Sequence, residues 1–306
     1  MEIKGFYDAR TNTVTYVVFD SQTRDAVLVD PVLDYEPAAS KVWTESFDLV
    51  TGFLKDQQLK LHYILETHAH ADHLSASQLL KKSFPDAKLA IGERITVVQE
   101  MFKKIFDLPA DFPTDGRQFD VLLKDGETFH AGSIQIKTVY VPGHTPACAY
   151  YQIGDAIFSG DAMFMPDGGT GRCDFPAGSA TDLYKSITER IYTLPDTTRV
   201  FVGHDYQPGG REVAFETTVG EQKTRNIQLK ATTTEAEFVQ FRAARDKTLS
   251  APKLLFQSVQ VNIDAGNMPK PNDTCQRYLK IPINVFNLPQ DMQCMELDDV
   301  NRQEAA

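Results

Sequence analysis

The stretch Glu66-Thr67-His68-Ala69-His70-Ala71-Asp72-His73 carries four potential metal ligands within six residues and stands between two contrasting patterns. Before it, Leu61 to Leu65 is an apolar run of strand length; after it, Leu79, Leu80 and Phe84 recur at helical spacing. The motif therefore reads as the C-terminal end of a core strand. Backbone there has left the ladder but stays anchored by it, so several side chains can be aimed at one point. A lone histidine is most often a core or surface residue, whereas four ligand-type side chains in one such turn reverse that expectation.

Three more candidates share the setting: His144 in Val141-Pro142-Gly143-His144-Thr145, Asp161 in Phe158-Ser159-Gly160-Asp161, and His204 in Phe201-Val202-Gly203-His204-Asp205. Each follows an apolar strand-like run, and the small residues Gly143, Gly160 and Gly203 let the backbone turn tightly beside an ion. Imidazole and carboxylate suit borderline divalent metals such as zinc or iron. His62 lies inside a strand pattern and His130 beside a Gly-containing turn, so neither is assigned chemistry.

Outward from the motif, Thr13 to Asp30 reads as strand, turn and strand. Trp43, Phe47, Val50 and Leu54 mark a helix, and Ile95, Val98, Met101, Phe102 and Ile105 form the stripe of another before Pro109 and Pro113 interrupt it. Ile134–Val141, Cys148–Ile153 and Ala156–Ser159 read as strands, Leu183, Ile187, Ile191 and Leu194 as a helix, and Arg199–Val202 as a further strand. Thr234-Glu235-Ala236-Glu237 has the form of a capping box, and the chain from about Ala251 is rich in Pro and Asn. The expected division is a core over 1–210 and a helical, Pro-rich extension over 211–306 packed on it.

Composition narrows the function classes. The 306 residues are 42% hydrophobic and 24% charged, and no apolar run approaches the roughly 20 residues of a membrane-spanning helix. With 31 Lys+Arg against 42 Asp+Glu the net charge is −11, which opposes binding to nucleic acid. Cys148, Cys173, Cys275 and Cys294 form no CxxC pair, and the first residues lack a secretory or Arg-rich leader pattern. A reducing cytoplasm is the expected setting, with no membrane partner and with a homo-oligomer left open.

The signature THxHxDH at Thr67 to His73, with His144, Asp161 and His204, resembles the metallo-β-lactamase superfamily. That resemblance implies an α+β fold, an αββα sandwich with a metal site at one edge of its sheets. In dinuclear hydrolases of this kind, His68, His70 and His144 would hold one metal, Asp72, His73 and His204 the other, and Asp161 would bridge. Gly169-Thr170-Gly171-Arg172-Cys173-Asp174-Phe175, His204-Asp205-Tyr206 and Met268-Pro269-Lys270-Pro271 further resemble the persulfide dioxygenase family, the ETHE1-like sulfur dioxygenases.

The closer resemblance implies one Fe(II) per chain on His68, His144 and Asp161. His70, Asp72, His73 and His204 would then form a vacant second site or orient the ligands. It implies glutathione persulfide and O2 as substrates, sulfite and glutathione as products, and Arg172 and Tyr206 as residues that touch the substrate. The alternative is a dinuclear zinc thioester hydrolase of the glyoxalase II type. Cys173, with no adjacent His, reads as a packing residue, and Arg211, Lys223 and Arg225 more as a solvated face than as substrate contacts. The segment from Ile95 to Asp120 and the tail after Phe286 exceed the family pattern. Cys294 lacks the Arg of a rhodanese loop, so no fused sulfurtransferase is expected.

Overall fold

The computed structural model describes residues 1–283 and 285. In chain order the strands are β1 (Glu2–Asp8), β2 (Thr13–Phe19), β3 (Asp25–Val29), β4 (Val32–Glu36), β5 (Lys41–Trp43), β6 (Lys60–Glu66), β7 (Leu74–Ser75), β8 (Lys88–Gly92) and β9 (Val121–Leu123). They continue with β10 (Thr128–Ala131), β11 (Ile134–Tyr140), β12 (Ala149–Ile153), β13 (Ala156–Phe158), β14 (Arg199–Phe201) and β15 (Glu216–Thr218). One six-stranded sheet has the order β1-β2-β3-β6-β8-β9, the other β10-β11-β12-β13-β14-β15, and β5-β4-β7 make a small third sheet. The helices are α1 (Glu45–Asp56), α2 (Ser77–Ser83), α3 (Ile95–Ile105), α4 (Ala180–Lys185), α5 (Val219–Arg225), α6 (Glu235–Asp246) and α7 (Leu255–Asn262). None of the described helices is long and apolar enough to cross a membrane.

Side-chain alternation explains the layering. Every residue of β2 is buried, because its two faces meet two different cores. Val14, Tyr16 and Val18 join Val27, Val29, Ile136, Tyr151, Phe158 and Phe201 between the large sheets. Val17 and Phe19 point the other way, onto Val50 and Leu54 of α1, Leu80 of α2, Val98 and Phe102 of α3 and Val259 of α7. On the far side, Val139, Ile157 and Val200 of the second sheet pack against Leu183 of α4, Ile187, Val219 of α5 and Phe238 of α6. The architecture is the α+β, αββα sandwich. Burial of each large apolar side chain is worth about 1.5–3 kcal/mol, so the three cores dominate stability.

Several elements depart from the sequence reading. Trp43 lies on β5 rather than in the following helix, which begins at Glu45. The strands β1, β8, β9 and β10 carry no decisive signal of their own and form by pairing with their neighbours. Inside the Pro- and Asn-rich tail, α7 is a buried helix over Leu255–Asn262 whose short length the surrounding composition hides. The stripe of α3 is core: Ile95, Val98 and Phe102 are buried in the first layer. The Thr234 capping box is formed, its hydroxyl accepting from the Glu237 amide at 3.3 Å and Glu237 accepting from the Thr234 amide at 2.8 Å. His62 occupies a bulge in β6 and meets Asp25 at 2.6 Å, while His130 is exposed on β10. The tail after Phe286, with Cys294, lies outside the described residues.

Candidate metal centre

Strand ends converge at one edge of the sandwich. β3 and β6 run parallel in the first sheet, so Asp30 and His68 follow the same end of it, and β13 and β14 run parallel in the second, so Asp161 and His204 follow the same end of that one. Two contacts stitch the sheets together there: the Val14 amide donates to Gly203 O at 2.9 Å and the Ala149 amide to Thr67 O at 3.0 Å. Close approach requires glycine. A Cβ on Gly160, which has φ +49°, would stand 2.6 Å from Thr67 Oγ1, and one on Gly143, with φ +143°, 2.4 Å from the Leu183 backbone.

His68 (Nε2), His144 (Nε2) and Asp161 (a carboxylate oxygen) bring ligand atoms within 4.8 Å of one another, all three residues buried. Hydrogen bonds aim them. The Thr67 hydroxyl donates to Asp30 Oδ2 at 2.8 Å, which leaves it to accept from His68 Nδ1 at 3.0 Å. His144 Nδ1 donates to Arg172 O at 2.8 Å. Each ring thus carries its proton on Nδ1 and turns the Nε2 lone pair inward, at 3.9 Å (His68) and 3.5 Å (His144) from Asp161 Oδ2. His68 Nε2 and Asp161 Oδ1 are buried without a hydrogen-bond partner. Buried polar atoms left this way are costly unless something meets them. Two imidazole nitrogens and a carboxylate oxygen fit a divalent transition metal.

Charge supports the same reading. Burial pushes His68 well below the usual histidine range, and the neighbouring His70 adds to it, so the ring is neutral as a ligand must be. Burial also opposes ionisation of Asp161, yet His204 and His144 hold its carboxyl well below the ordinary value. His204 Nε2 lies 3.2 Å from Asp161 Oδ1 and 3.4 Å from Asp72 Oδ2; burial lowers its pKa, but the two carboxylates outweigh that and raise it to about 9. His73 Nδ1 donates to Leu74 O at 3.1 Å, and its Nε2 is another orphan. His70, Asp72 and His73 form a second close group.

His70 faces two ways. Its Nε2 lies 3.0 Å from Asp30 Oδ1 and 3.5 Å from Glu66 Oε2. Burial opposes a charge on it, but Asp30 and Glu66 prevail and raise it well above the usual histidine value. Asp30 adopts a left-handed φ of +50°, a conformation aspartate tolerates better than most residues, and accepts from the Thr67 amide at 2.7 Å. Glu66 accepts from Ser75 Oγ and, at 2.6 Å, from Ser77 Oγ. The sequence reading missed Asp30, which carries no motif; only its place at the end of a strand beside β6 hints at a role.

A cavity of about 780 Å3 opens beside Asp161 and His144, with Arg172, Tyr206, Phe164 and Arg245 on its walls. The Arg172 guanidinium forks onto Asp174, at 2.5 Å from Nε and 2.6 Å from Nη2, and Nη1 donates to Ser250 O at 2.7 Å. Its main-chain carbonyl is the group that orients His144. α6 braces this loop: Asp246 Oδ2 accepts from the Cys173 amide at 2.9 Å, and Asp246 forms a buried pair with Arg242. Tyr206 stacks on His204 with ring centroids 5.6 Å apart and remains half exposed to the cavity. Burial pushes the Cys173 thiol up to about 12, in keeping with a packing residue. Arg211 is held by Asp167 and Asp205, and Lys223 by Asp196.

Comparison with known proteins agrees with this geometry. The model of the Metallo-beta-lactamase superfamily matches residues 9–204. "Glyoxylase B2" of Dictyostelium discoideum is 46% identical over 284 residues, 92% of this chain and 97% of that protein. Human "Persulfide dioxygenase ETHE1, mitochondrial" is 30% identical over 266 residues, 86% of this chain and 88% of that protein. The crystal structure of ETHE1 from Myxococcus xanthus superposes with a TM-score of 0.69 at 30% identity, covering 87% of this chain and all of that one. With its paired sheets, its outer helices and its His/Asp cluster at their edge, the chain belongs to the metallo-β-lactamase superfamily.

Proposed function

We propose that the protein is a glutathione persulfide dioxygenase with one Fe(II) held by His68, His144 and Asp161. The observation that carries this reading is the division of labour among the buried histidines. His68 and His144 turn proton-free Nε2 atoms toward Asp161, while His70 Nε2 lies against Asp30 and Glu66. Likeness in sequence and structure to proteins named as persulfide dioxygenase ETHE1 supports it. Iron held by His68, His144 and Asp161 would supply the redox chemistry. The balanced reaction is glutathione persulfide + O2 + H2O → glutathione + sulfite + 2 H+.

The chain's own residues prepare the site. Asp30, through Thr67, and the Arg172 carbonyl hold the two imidazoles in one tautomer and orientation. Phe164 and Tyr206 line the cavity, and the half-exposed Tyr206 phenol would donate to an anionic sulfur substrate there. Arg172, its charge balanced by Asp174, keeps N–H groups beyond those given to Asp174 and Ser250 that can donate to substrate at the cavity wall. His70, Asp72, His73 and His204 shape the field around Asp161. The segment from 211 onward belongs to the same unit in this reading, supported by β15 pairing with β14 and α7 packing in the first core. A cytoplasmic setting is part of the proposal; Cys148, Cys173 and Cys275 are unpaired.

A second reading, a dinuclear zinc thioester hydrolase of the glyoxalase II type, is favoured by the 46% identity to a protein named glyoxylase B2 and by His204 facing the other oxygen of Asp161. Metal analysis with substrate assays separates the two. The proposal expects about one iron per chain, with oxygen uptake and sulfite release that depend on glutathione persulfide. Two zinc ions per chain with thioester hydrolysis and no oxygen uptake would overturn it.

A further inference from the structure

We propose that Asn262, the last residue of α7, is a positioning residue that holds the turn from His70 to Ser75 in shape for the metal centre. Helix α7 is then a working part of that centre. In the hydrolase reading this turn carries metal ligands, and in the oxygenase reading it carries the His70 ring that packs on the ligand His68 with centroids 4.1 Å apart. A loss of metal affinity is expected in both, so the proposal stands or falls separately from the choice between them.

Asn262 is buried, and its side-chain amide meets three backbone groups of the metal motif. Nδ2 donates to His70 O and to His73 O, each at 2.8 Å, and Oδ1 accepts from the Ser75 amide at 2.8 Å. Two carbonyls need donors and one N–H needs an acceptor, so the orientation of this amide is unambiguous. His70 and His73 lie outside any helix or strand, and no ladder reaches their carbonyls. Between them stand Ala71 and Asp72, so the clamp sets the direction in which Asp72 and both histidines leave the backbone.

The neighbouring residues keep Asn262 in place. The Gln99 amide donates to Ile263 O at 2.8 Å and the Gln78 amide to Ala265 O at 3.1 Å. Gly266, at φ +82°, lets the chain pass so close to β7 that a Cβ would stand 3.0 Å from Ser75 O. The site is thus held from both sides of the sandwich: α6 braces the loop whose carbonyl aims His144, and α7 braces the turn that carries His70, Asp72 and His73. Aspartate at 262 would keep the shape and the acceptor for Ser75 but lose both donors, setting oxygen against two carbonyl oxygens.

The test measures Co(II) affinity by chelator competition on the metal-stripped protein and on Asn262→Asp, Asn262→Ala and the control Gln99→Ala. Gln99 ties the same segment down without touching the motif. Both Asn262 variants should bind about 10- to 100-fold more weakly, while Gln99→Ala stays within about twofold despite a lowered Tm. An Asn262→Asp protein that binds within about twofold of the unmodified protein, or a Gln99→Ala protein that loses as much as the Asn262 variants, would overturn the proposal. Hydrogen exchange on the unmodified protein decides the matter if the variants do not fold. A clamp that acts ahead of the metal keeps the Ser75 amide protected in stripped and loaded protein alike, whereas rapid exchange in the stripped protein would refute it.

Discussion

Two buried trios of ionisable residues lie side by side and differ in what satisfies them. In the first, His68, His144 and Asp161 bring ligand atoms together, and His68 Nε2 and Asp161 Oδ1 have no hydrogen-bond partner. In the second, Asp30, Glu66 and His70 sit close enough to pair with one another. Thr67 donates to Asp30, and Ser75 and Ser77 both donate to Glu66 Oε1, while Glu66 Oε2 and both ring nitrogens of His70 have no hydrogen-bond partner. Both trios are buried and both keep unpartnered atoms; the difference is that hydroxyl donors from Thr67, Ser75 and Ser77 reach the carboxylates of the second. Under the proposed function the first trio receives the cation, and the second, tied to Thr67 and to Ser75 of β7, supports the strand ends that carry the first.

The sharpest way to break this comparison is to remove one member from each side of Asp161. His144→Ala should abolish metal binding, whereas Asp72→Ala should retain about one metal ion per chain by elemental analysis. Equal loss in both would merge the clusters into one dinuclear site. Next in size is Asp246→Ala, which leaves Arg242 buried without its partner and frees the Cys173 amide beside the loop that aims His144. The expected destabilisation is about 3–5 kcal/mol by denaturant unfolding, and a loss below about 1 kcal/mol would show that water replaces the pair.

Asp30→Asn sharpens the contrast from the other trio. It removes the charge that balances His70 and weakens the chain through Thr67 to His68. Metal affinity should fall about 10-fold or more while the ligands remain; unchanged affinity would detach the second trio from the first. The smallest effect concerns Asp264, just beyond Asn262, whose carboxyl burial raises from the ordinary 3.8 to about 6. The folded state therefore prefers the neutral acid, and this contribution to stability is present below the ordinary value and lost as pH rises through about 6. Asp264→Asn should raise Tm above pH 6 and leave it unchanged below pH 4, and a pH-independent difference would contradict the shift.

Legibility followed locality. The ligand-bearing turns stood out because strand-length apolar runs end directly in His, Gly and Asp at Thr67 to His73, Gly143-His144, Gly160-Asp161 and Gly203-His204. The helices α1, α3 and α6 announced themselves by period and capping. β8, β9 and β10 did not, since short strands take their register from neighbours rather than from their own side chains. Helix α7 was hidden by Pro and Asn on either side of it and by a buried face that mixes Leu255, Val259 and Val261 with Ser258, Gln260 and Asn262. Arg172 was read through its side chain, yet its carbonyl is what touches His144, a role open to any residue type and therefore silent in sequence.

Local pattern yields alternating strands and helices with seven ligand-type residues at strand ends, because apolar alternation and tight Gly turns are local properties, and the family resemblance implies their αββα arrangement. Which of those residues face an ion and which face each other is a matter of packing. Asp30, Arg172 O and Asn262 come from strand, loop and helix far apart in the chain, and hydrogen bonds between such distant groups exist only once the two sheets have closed on each other.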